Sequence, residues 1–373
     1  MSISQPTVTF VVPCYKLGHL LKQCVDSILS QDFDDLEVLI MDDCSPDDTP
    51  SVARSFGDPR VRHVRNDPNV GHMRNYNKGV GLARGRYVWL ISADDYLRRP
   101  YVLRRYVDVM ERNPRIGYAF CSGVSVQDGQ ETGLIASSRC GDRDWVMAGP
   151  KWLRRLLHGN NMLAASVMAR RACYTELGEY PLDMPWANDW YMWCLFAFDY
   201  DVAYFDEPMV CYRQHALSMT TQLTLGQAAA CCEEEIQICW SFKQRADRAG
   251  RGRLAREALR ALSEIYARNA TYVRFGRSRP ILTIDQIDDS LCRYTRSEVE
   301  RKFVRARVFA QMGSAHYWQG DPVAAAACYD AALGIDPLQV AVAVKRSLIS
   351  LGALGDFFRV RIRSRSFSFV NRK

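Results

Sequence analysis

This sequence predicts an α/β fold with a mostly parallel sheet flanked by helices, followed by an all-α C-terminal domain. Three observations carry that expectation. Compact apolar runs alternate with segments of helical periodicity over the first hundred residues. Two of those runs end in paired aspartates, Asp42-Asp43 and Asp94-Asp95. Near Gln222 the composition turns to Ala, Leu, Glu, Arg and Gln with helical spacing and few strand signals. At 373 residues the chain exceeds what one core usually holds. The boundaries are accordingly drawn at 1–221 for the α/β domain, 222–355 for the helical domain and 356–373 for a basic tail.

In chain order, Thr7 to Val12 reads as a strand closed by Pro13, which has no N–H to give a ladder. Leu17, Leu20, Leu21, Val25, Ile28 and Leu29 recur at helical spacing, and Glu37 to Met41 forms the next strand. Arg60 to Arg65 reads as a third strand, Met73 to Ala83 as a helix and Tyr87 to Ile91 as the strand that runs into Asp94-Asp95. Such alternation implies right-handed crossovers and puts strand C-termini, with their aspartates, along one edge. Ligands of open α/β sheets sit at that edge, and adjacent carboxylates there suit a hard divalent cation that also holds a phosphate oxygen. Taken alone, an Asp-Asp pair more often starts a turn or caps a helix; two such pairs at one edge are harder to explain that way. No glycine-rich phosphate loop follows any of these strands, which weakens dinucleotide and nucleoside-triphosphatase readings.

Val11-Val12-Pro13-Cys14-Tyr15, Val38 to Ser45 with Asp47 and Thr49, Asn69-Val70-Gly71 with Arg74-Asn75, and Ser92-Ala93-Asp94-Asp95 follow one another in an order that resembles the family 2 glycosyltransferases of GT-A fold. Asn188 to Trp193 and Tyr212-Arg213-Gln214-His215 extend the resemblance to about residue 220. It implies that Pro13 and Tyr15 contact the donor's base, that Asp42 or Asp43 hydrogen-bonds the nucleoside, and that Arg74 approaches the diphosphate. Where the family often has Asp-x-Asp-Asp, this chain has Ser92 first; Ser92 can bond a ribose hydroxyl but brings no charge. Asp94 or Asp95 is then the principal ligand of Mn or Mg, and the sequence does not choose between them. His215 is a further candidate ligand, a donor that suits Mn somewhat better than Mg. The same resemblance makes Asp189 the candidate base that takes the acceptor hydroxyl's proton in an inverting transfer. Asn188 stands where the family often has Glu, so no neighbouring carboxylate raises the pKa of Asp189.

Residues 120 to 187 are expected to form the acceptor side, with a strand at Met162 to Ala169 and a short helix at Arg171 to Leu177. Trp190 and Arg213 are its candidate contacts, and Trp145, Trp152 and Trp186 could stack on sugar faces, although core packing is the commoner fate of tryptophan. In the helical domain Phe309, Gly313, Gly320, Ala325, Tyr329, Ala332 and Pro337 match one tetratricopeptide repeat over about 306–339, with helices at Glu233 to Arg248, Arg253 to Arg268 and Leu338 to Leu351. That surface could take a protein partner or serve as a plain helical cap. Arg359, Arg361, Arg363 and Arg365, followed by Phe367 and Phe369, could touch anionic lipid at the membrane's inner face.

Composition excludes little else. With 48% hydrophobic and 24% charged residues the chain is expected to be soluble and cytoplasmic, lacking a spanning run or signal peptide. Its 13 cysteines are irregularly spaced and odd in number, which points to reduced thiols. The formal charge of +7 is spread too widely to argue for nucleic acid. The expected activity is a metal-dependent, inverting hexosyl transfer from a nucleotide-diphosphate sugar, UDP-sugars favoured, to a hydroxyl of a glycan, lipid-linked or protein acceptor in surface polysaccharide or glycoconjugate synthesis. Ser92 and Asn188 keep open a second reading, a catalytically impaired sugar-nucleotide-binding scaffold. A nucleotidyltransferase, which would also use strand-end aspartates and a metal, is the third.

Overall fold

The computed structural model describes residues 5–215, 218, 227–272 and 280–350, and the chain divides into two compact units, Met1–Ser218 and Met219–Lys373. In the first unit the apolar runs and helical periods become β1 (Val8–Cys14), α1 (Gly18–Leu29), β2 (Leu36–Asp42), α2 (Thr49–Ser55), β3 (Val61–Arg65), α3 (His72–Leu82) and β4 (Tyr87–Leu90). Then come β5 (Tyr96–Leu97), α4 (Val102–Arg112), β6 (Ile116–Gln127), β7 (Gln130–Leu134), β8 (Trp145–Met147), α5 (Gly149–Leu156), β9 (Met168–Arg170), α6 (Arg171–Leu177), α7 (Asn188–Asp199) and β10 (Asp201–Arg213). They build one ten-stranded sheet of order β3-β2-β1-β4-β9-β6-β10-β5, with β7 on β6 and β8 on β10. The β3-β2-β1-β4 half is parallel throughout, while β9 enters antiparallel to both β4 and β6, and β6 and β10 are again parallel.

Every position of β1, β2 and β4 is buried, as strands covered on both faces require. Phe10, Trp89, Tyr106 and Phe205 stack in series through the core, and the Trp89 indole donates to the Ala165 carbonyl at 2.8 Å. Helix α3 lies close on the sheet because Gly79 carries no side chain: a Cβ there would sit 2.5 Å from Val11 Cγ1. This closeness fixes the donor-side loop that precedes α3.

Two local expectations are corrected. Pro13 does not end β1, which pairs with β2 through Cys14. In a strand a residue's N–H and C=O point to the same side. The Pro13 carbonyl accepts from Ala93 N–H, on the β4 side and beyond the end of the regular β1–β4 ladder, so the missing donor costs no ladder bond. Nor is Met162 to Ala169 a strand: Ala164–Ser166 forms a 3₁₀ turn, with the Ser166 hydroxyl donating back to the Leu163 carbonyl at 2.8 Å, and β9 begins only at Met168.

The second unit is helical among its described residues: α8 (Ala228–Arg248), α9 (Gly252–Thr271), α10 (Ile284–Tyr294), α11 (Glu298–Trp318), α12 (Pro322–Ile335) and α13 (Val340–Ser350). Ala325, Tyr329, Ala332 and Val342 form a small core with Phe309 against it, and Gly313 lets the Tyr329 ring pass where a Cβ would stand 2.7 Å away. Arg359 to Phe369 and the boundaries placed at 221/222 and 355/356 lie outside the described residues. Among the described residues no helix is long and apolar enough to cross a membrane.

Candidate active site

Both aspartate pairs hang from the end of β1. Asp43 N–H donates to the Cys14 carbonyl at 3.0 Å, and Ala93 N–H donates to the Pro13 carbonyl at 3.2 Å. The two strand ends flanking β1 thus present their carboxylates at one edge. Tyr15 follows β1 with its ring 44% exposed, so the aromatic face is available to a ligand.

Asp42 and Asp43 are already occupied by the protein. Asp42 accepts from Ser45 N–H at 2.8 Å, from the Arg65 guanidinium at 2.5 Å and is 3.2 Å from His63 Nε2. Burial works against its charge, and these bonds outweigh burial to hold its carboxyl below the usual range. Asp43 is equally buried and accepts from Asn66 Nδ2, Val70 N–H and Gly71 N–H, each at 2.9 Å. It shapes the Asn69-Val70-Gly71 loop, where Gly71 takes a φ of +82° that suits glycine. Arg74, in the first turn of α3, is exposed and has no ion-pair partner among the described residues.

Asp94 and Asp95 are held differently. Asp95 is buried and accepts one hydrogen bond, from Arg213 N–H at 2.9 Å. Burial, with the charge of Asp94 beside it, pushes its carboxyl well above the ordinary range. Asp94 places Oδ2 2.9 Å from His215 Nε2, while its buried Oδ1 has no partner. A carboxylate oxygen left this way normally signals an absent ligand. The Ser92 hydroxyl likewise has no hydrogen-bond partner among the described residues, though its carbonyl receives Asp95 N–H. Arg213 braces this corner: its guanidinium donates to the Asp94 carbonyl at 3.0 Å and to Gln23 at 2.7 Å. Among the described residues no three His, Cys, Asp or Glu side chains converge to hold a metal alone. The free oxygen of Asp94, with His215 against it, fits a hard cation whose remaining ligands come from a bound diphosphate.

Asp189 begins α7. Its Oδ1 accepts its neighbour Trp190's N–H at 2.6 Å and its Oδ2 accepts Asn160 Nδ2 at 3.0 Å. Burial pushes its carboxyl up to about 6, against those two bonds. Among the described residues no ion pair to Asp189 offsets that burial. Trp190 does not belong to an acceptor face: it is 3% exposed and its indole donates to the Leu156 carbonyl at 2.7 Å, because α7 turns it into the core. Trp145 and Trp152 are also packed inward, in a cluster with Phe120 and Tyr204.

Four residues that no sequence motif singled out join these pieces. His72 and Tyr76, one turn apart on α3, meet edge to face, and Tyr76 meets Tyr180 in the same way. His72 Nε2 lies 3.2 Å from the Pro185 carbonyl, which also receives Asn188 Nδ2 at 2.8 Å. Asn77 and Tyr180 exchange two hydrogen bonds of 2.9 Å. The segment that delivers Asp189 is therefore fastened to the helix that follows the Asp43 loop. The only sequence signal was the i, i+4 spacing of His72 and Tyr76.

Residues 9–163 match the family described as glycosyl transferase family 2. That match covers the two aspartate pairs and the loop before α3. The chain is 40% identical over 103 residues to the succinoglycan biosynthesis protein ExoO of Rhizobium meliloti (strain 1021), 28% of this chain and 29% of that protein. It is 24% identical over 244 residues to an uncharacterized glycosyltransferase, RP339, of Rickettsia prowazekii (strain Madrid E), covering 64% and 72% of the two chains. Among solved structures it is similar to S. aureus TarS 1-349 in complex with UDP-GlcNAc, with a TM-score of 0.61 and 16% identity over 86% of this chain and 89% of that one. The fold is of GT-A type. The chain spans less than a third of the length of ExoO, and what it shares with TarS is the fold.

Proposed function

We propose that the N-terminal unit transfers a hexosyl group, with inversion, from a nucleotide-diphosphate sugar to an acceptor hydroxyl. One observation carries the reading: Asp94 keeps an unpartnered oxygen at the strand-end edge, and the segment that delivers the desolvated carboxylate of Asp189 is fastened through His72, Asn77 and Tyr180 to α3, the helix that leaves the Asp43 loop at that edge. The TarS structure with UDP-GlcNAc makes a UDP-sugar the first donor to test, and the ExoO likeness makes a growing polysaccharide the first acceptor class.

Tyr15 offers its exposed ring to the base, and Ser92 its free hydroxyl to the ribose. Arg74, exposed and unpaired at the start of α3, serves the diphosphate. A divalent cation, Mn or Mg, held by Asp94 with His215 would neutralise the diphosphate as it leaves. Asp189 accepts the acceptor hydroxyl's proton while that oxygen attacks the anomeric carbon and the bond to the diphosphate breaks on the opposite face. Asn160 holds Oδ2 of Asp189 in place for that transfer. Because only the ionised form is a base, turnover rises with pH through about 6 and levels off above it.

Stabilisation by UDP-, GDP- and dTDP-sugars with and without Mn, followed by release of nucleotide diphosphate over an acceptor panel, tests this reading. Asp189→Asn is expected to keep donor binding and to lose transfer by roughly 10²–10⁴-fold, the usual worth of a positioned base. Robust turnover in that variant would remove Asp189 from the role. Pyrophosphate release from a nucleoside triphosphate, with no sugar transfer, would replace the whole reading by nucleotidyl transfer.

A further inference from the structure

We infer that the Tyr76 hydroxyl is a sugar-recognising hydrogen-bond donor, bonding a hydroxyl of the hexose between the diphosphate and the catalytic base. The inference rests on the transferase reading above and assigns a residue outside every motif of the sequence. Tyr76 lies on α3, whose sheet face is locked by Gly79 against Val11. Its ring is only 8% exposed and is held edge to face by His72 and Tyr180, with ring centroids 5.7 Å away on each side. The clasp between Asn77 and Tyr180 fixes the second of those walls. The ring is thus immobilised from two directions, yet its hydroxyl has no hydrogen-bond partner among the described residues.

The hydroxyl is not among the sealed side-chain atoms that lack a partner, so it belongs to the small part of the residue that opens outward, where a ligand can meet it. The surrounding charges say what. The charges of Asp94, Asp189 and Asp95 all act on this hydroxyl, and with burial they push its pKa far up, so the group stays protonated and can serve as a donor. Asp94 marks the diphosphate end of the cleft and Asp189 the end where the acceptor oxygen meets the anomeric carbon. The part of a nucleotide sugar between those ends is the hexose ring, whose hydroxyls are the acceptors such a donor needs.

Tyr76→Phe removes the hydroxyl and keeps the ring between His72 and Tyr180. The affinities of wild type and variant for UDP and for UDP-glucose, UDP-galactose and UDP-GlcNAc, measured by calorimetry with Mn, give the test. The expected result is unchanged affinity for UDP and about tenfold weaker binding of the preferred UDP-sugar, the scale of one hydrogen bond. Monodeoxy forms of that sugar locate the contact: one of them binds the wild type about tenfold less tightly and is bound equally by both proteins. Equal affinity of wild type and variant for every UDP-sugar, or an equal loss on UDP itself, would overturn the inference while leaving the transferase reading intact. Failure of the wild type to bind any nucleotide sugar would overturn both.

Discussion

The two Asp-Asp pairs follow the two strands that flank β1 and hang from its adjacent carbonyls, yet they have opposite fates. Asp42 and Asp43 are saturated with protein donors, because β3 runs parallel beside β2 and brings Arg65 level with Asp42 and His63 two residues before it, while the loop after β3 folds three donors onto Asp43. Beyond the end of β4 no such neighbour exists. Its other flank is β9, a three-residue antiparallel strand that pairs only Trp89, Val88 and Tyr87. Asp95 receives one backbone N–H and Asp94 keeps an oxygen without a partner. What separates a scaffold aspartate from an available one is therefore the donor supply of the adjacent strand, since the dipeptide itself is the same.

Exchanging the roles of the pairs gives the largest expected effect. Asp94→Ala removes the open oxygen and is expected to abolish Mn-dependent stabilisation by nucleotide sugars and to cut turnover by roughly 10²-fold or more, as loss of a charge-stabilising group usually does. Without ligand its melting point should change little, because the lost contact of Asp94 Oδ2 with His215 is offset by removal of the charge beside buried Asp95. Retained Mn-dependent binding would move the metal away from Asp94. Asp43→Ala is the converse. It strands the Val70 N–H and one of the two Asn66 amide donors and leaves Gly71 N–H to Asn69 Oδ1 alone, and a loss of about 3 kcal/mol in the stability of the N-terminal unit is expected in urea unfolding. A loss below about 1 kcal/mol would mean that the loop does not depend on this carboxylate.

Much of this contrast was not legible from the sequence, and the reason is physical. Apolar runs and helical spacing located β1, β2, β3 and β4 within a residue or two, since burial on both sheet faces writes itself into consecutive side chains. Partners do not. That Arg65 is spent on Asp42, while Arg213 reaches across from the end of β10 to the Asp94 corner, depends on strand order, which periodicity does not encode. Trp190 fails for a related reason: beside a candidate base it looks like a substrate platform, but a 12-residue helix with nine buried positions turns it inward. Tyr76 was missed because its meaning lies in contacts to Tyr180 and in charges from β4 and α7, more than a hundred residues away along the chain at the far end.

The smallest expected effect has opposite signs at the two pairs. Asp42 has its pKa lowered in the folded state, so its bonds add stability that is complete above the unfolded value, about 3.9, and is lost as pH falls through the folded one. Asp95 has its pKa raised, so its ionisation costs stability; the cost is absent below about 3.9, grows as pH rises towards the folded value and is constant above it. Asp95→Asn keeps an oxygen to accept Arg213 N–H and removes that cost. Its melting point at pH 7 should exceed the wild type's by roughly 2–4 °C, a shift of the size one lost charge penalty gives in a unit this large. At pH 4 the difference should nearly vanish. Asp42→Asn should do the reverse, melting below wild type at pH 7 and approaching it in acid. If Asp95→Asn instead melts lower at pH 7, the Asp95 carboxylate is a stabilising anchor like Asp42, and the contrast between the two strand ends narrows to Asp94 alone.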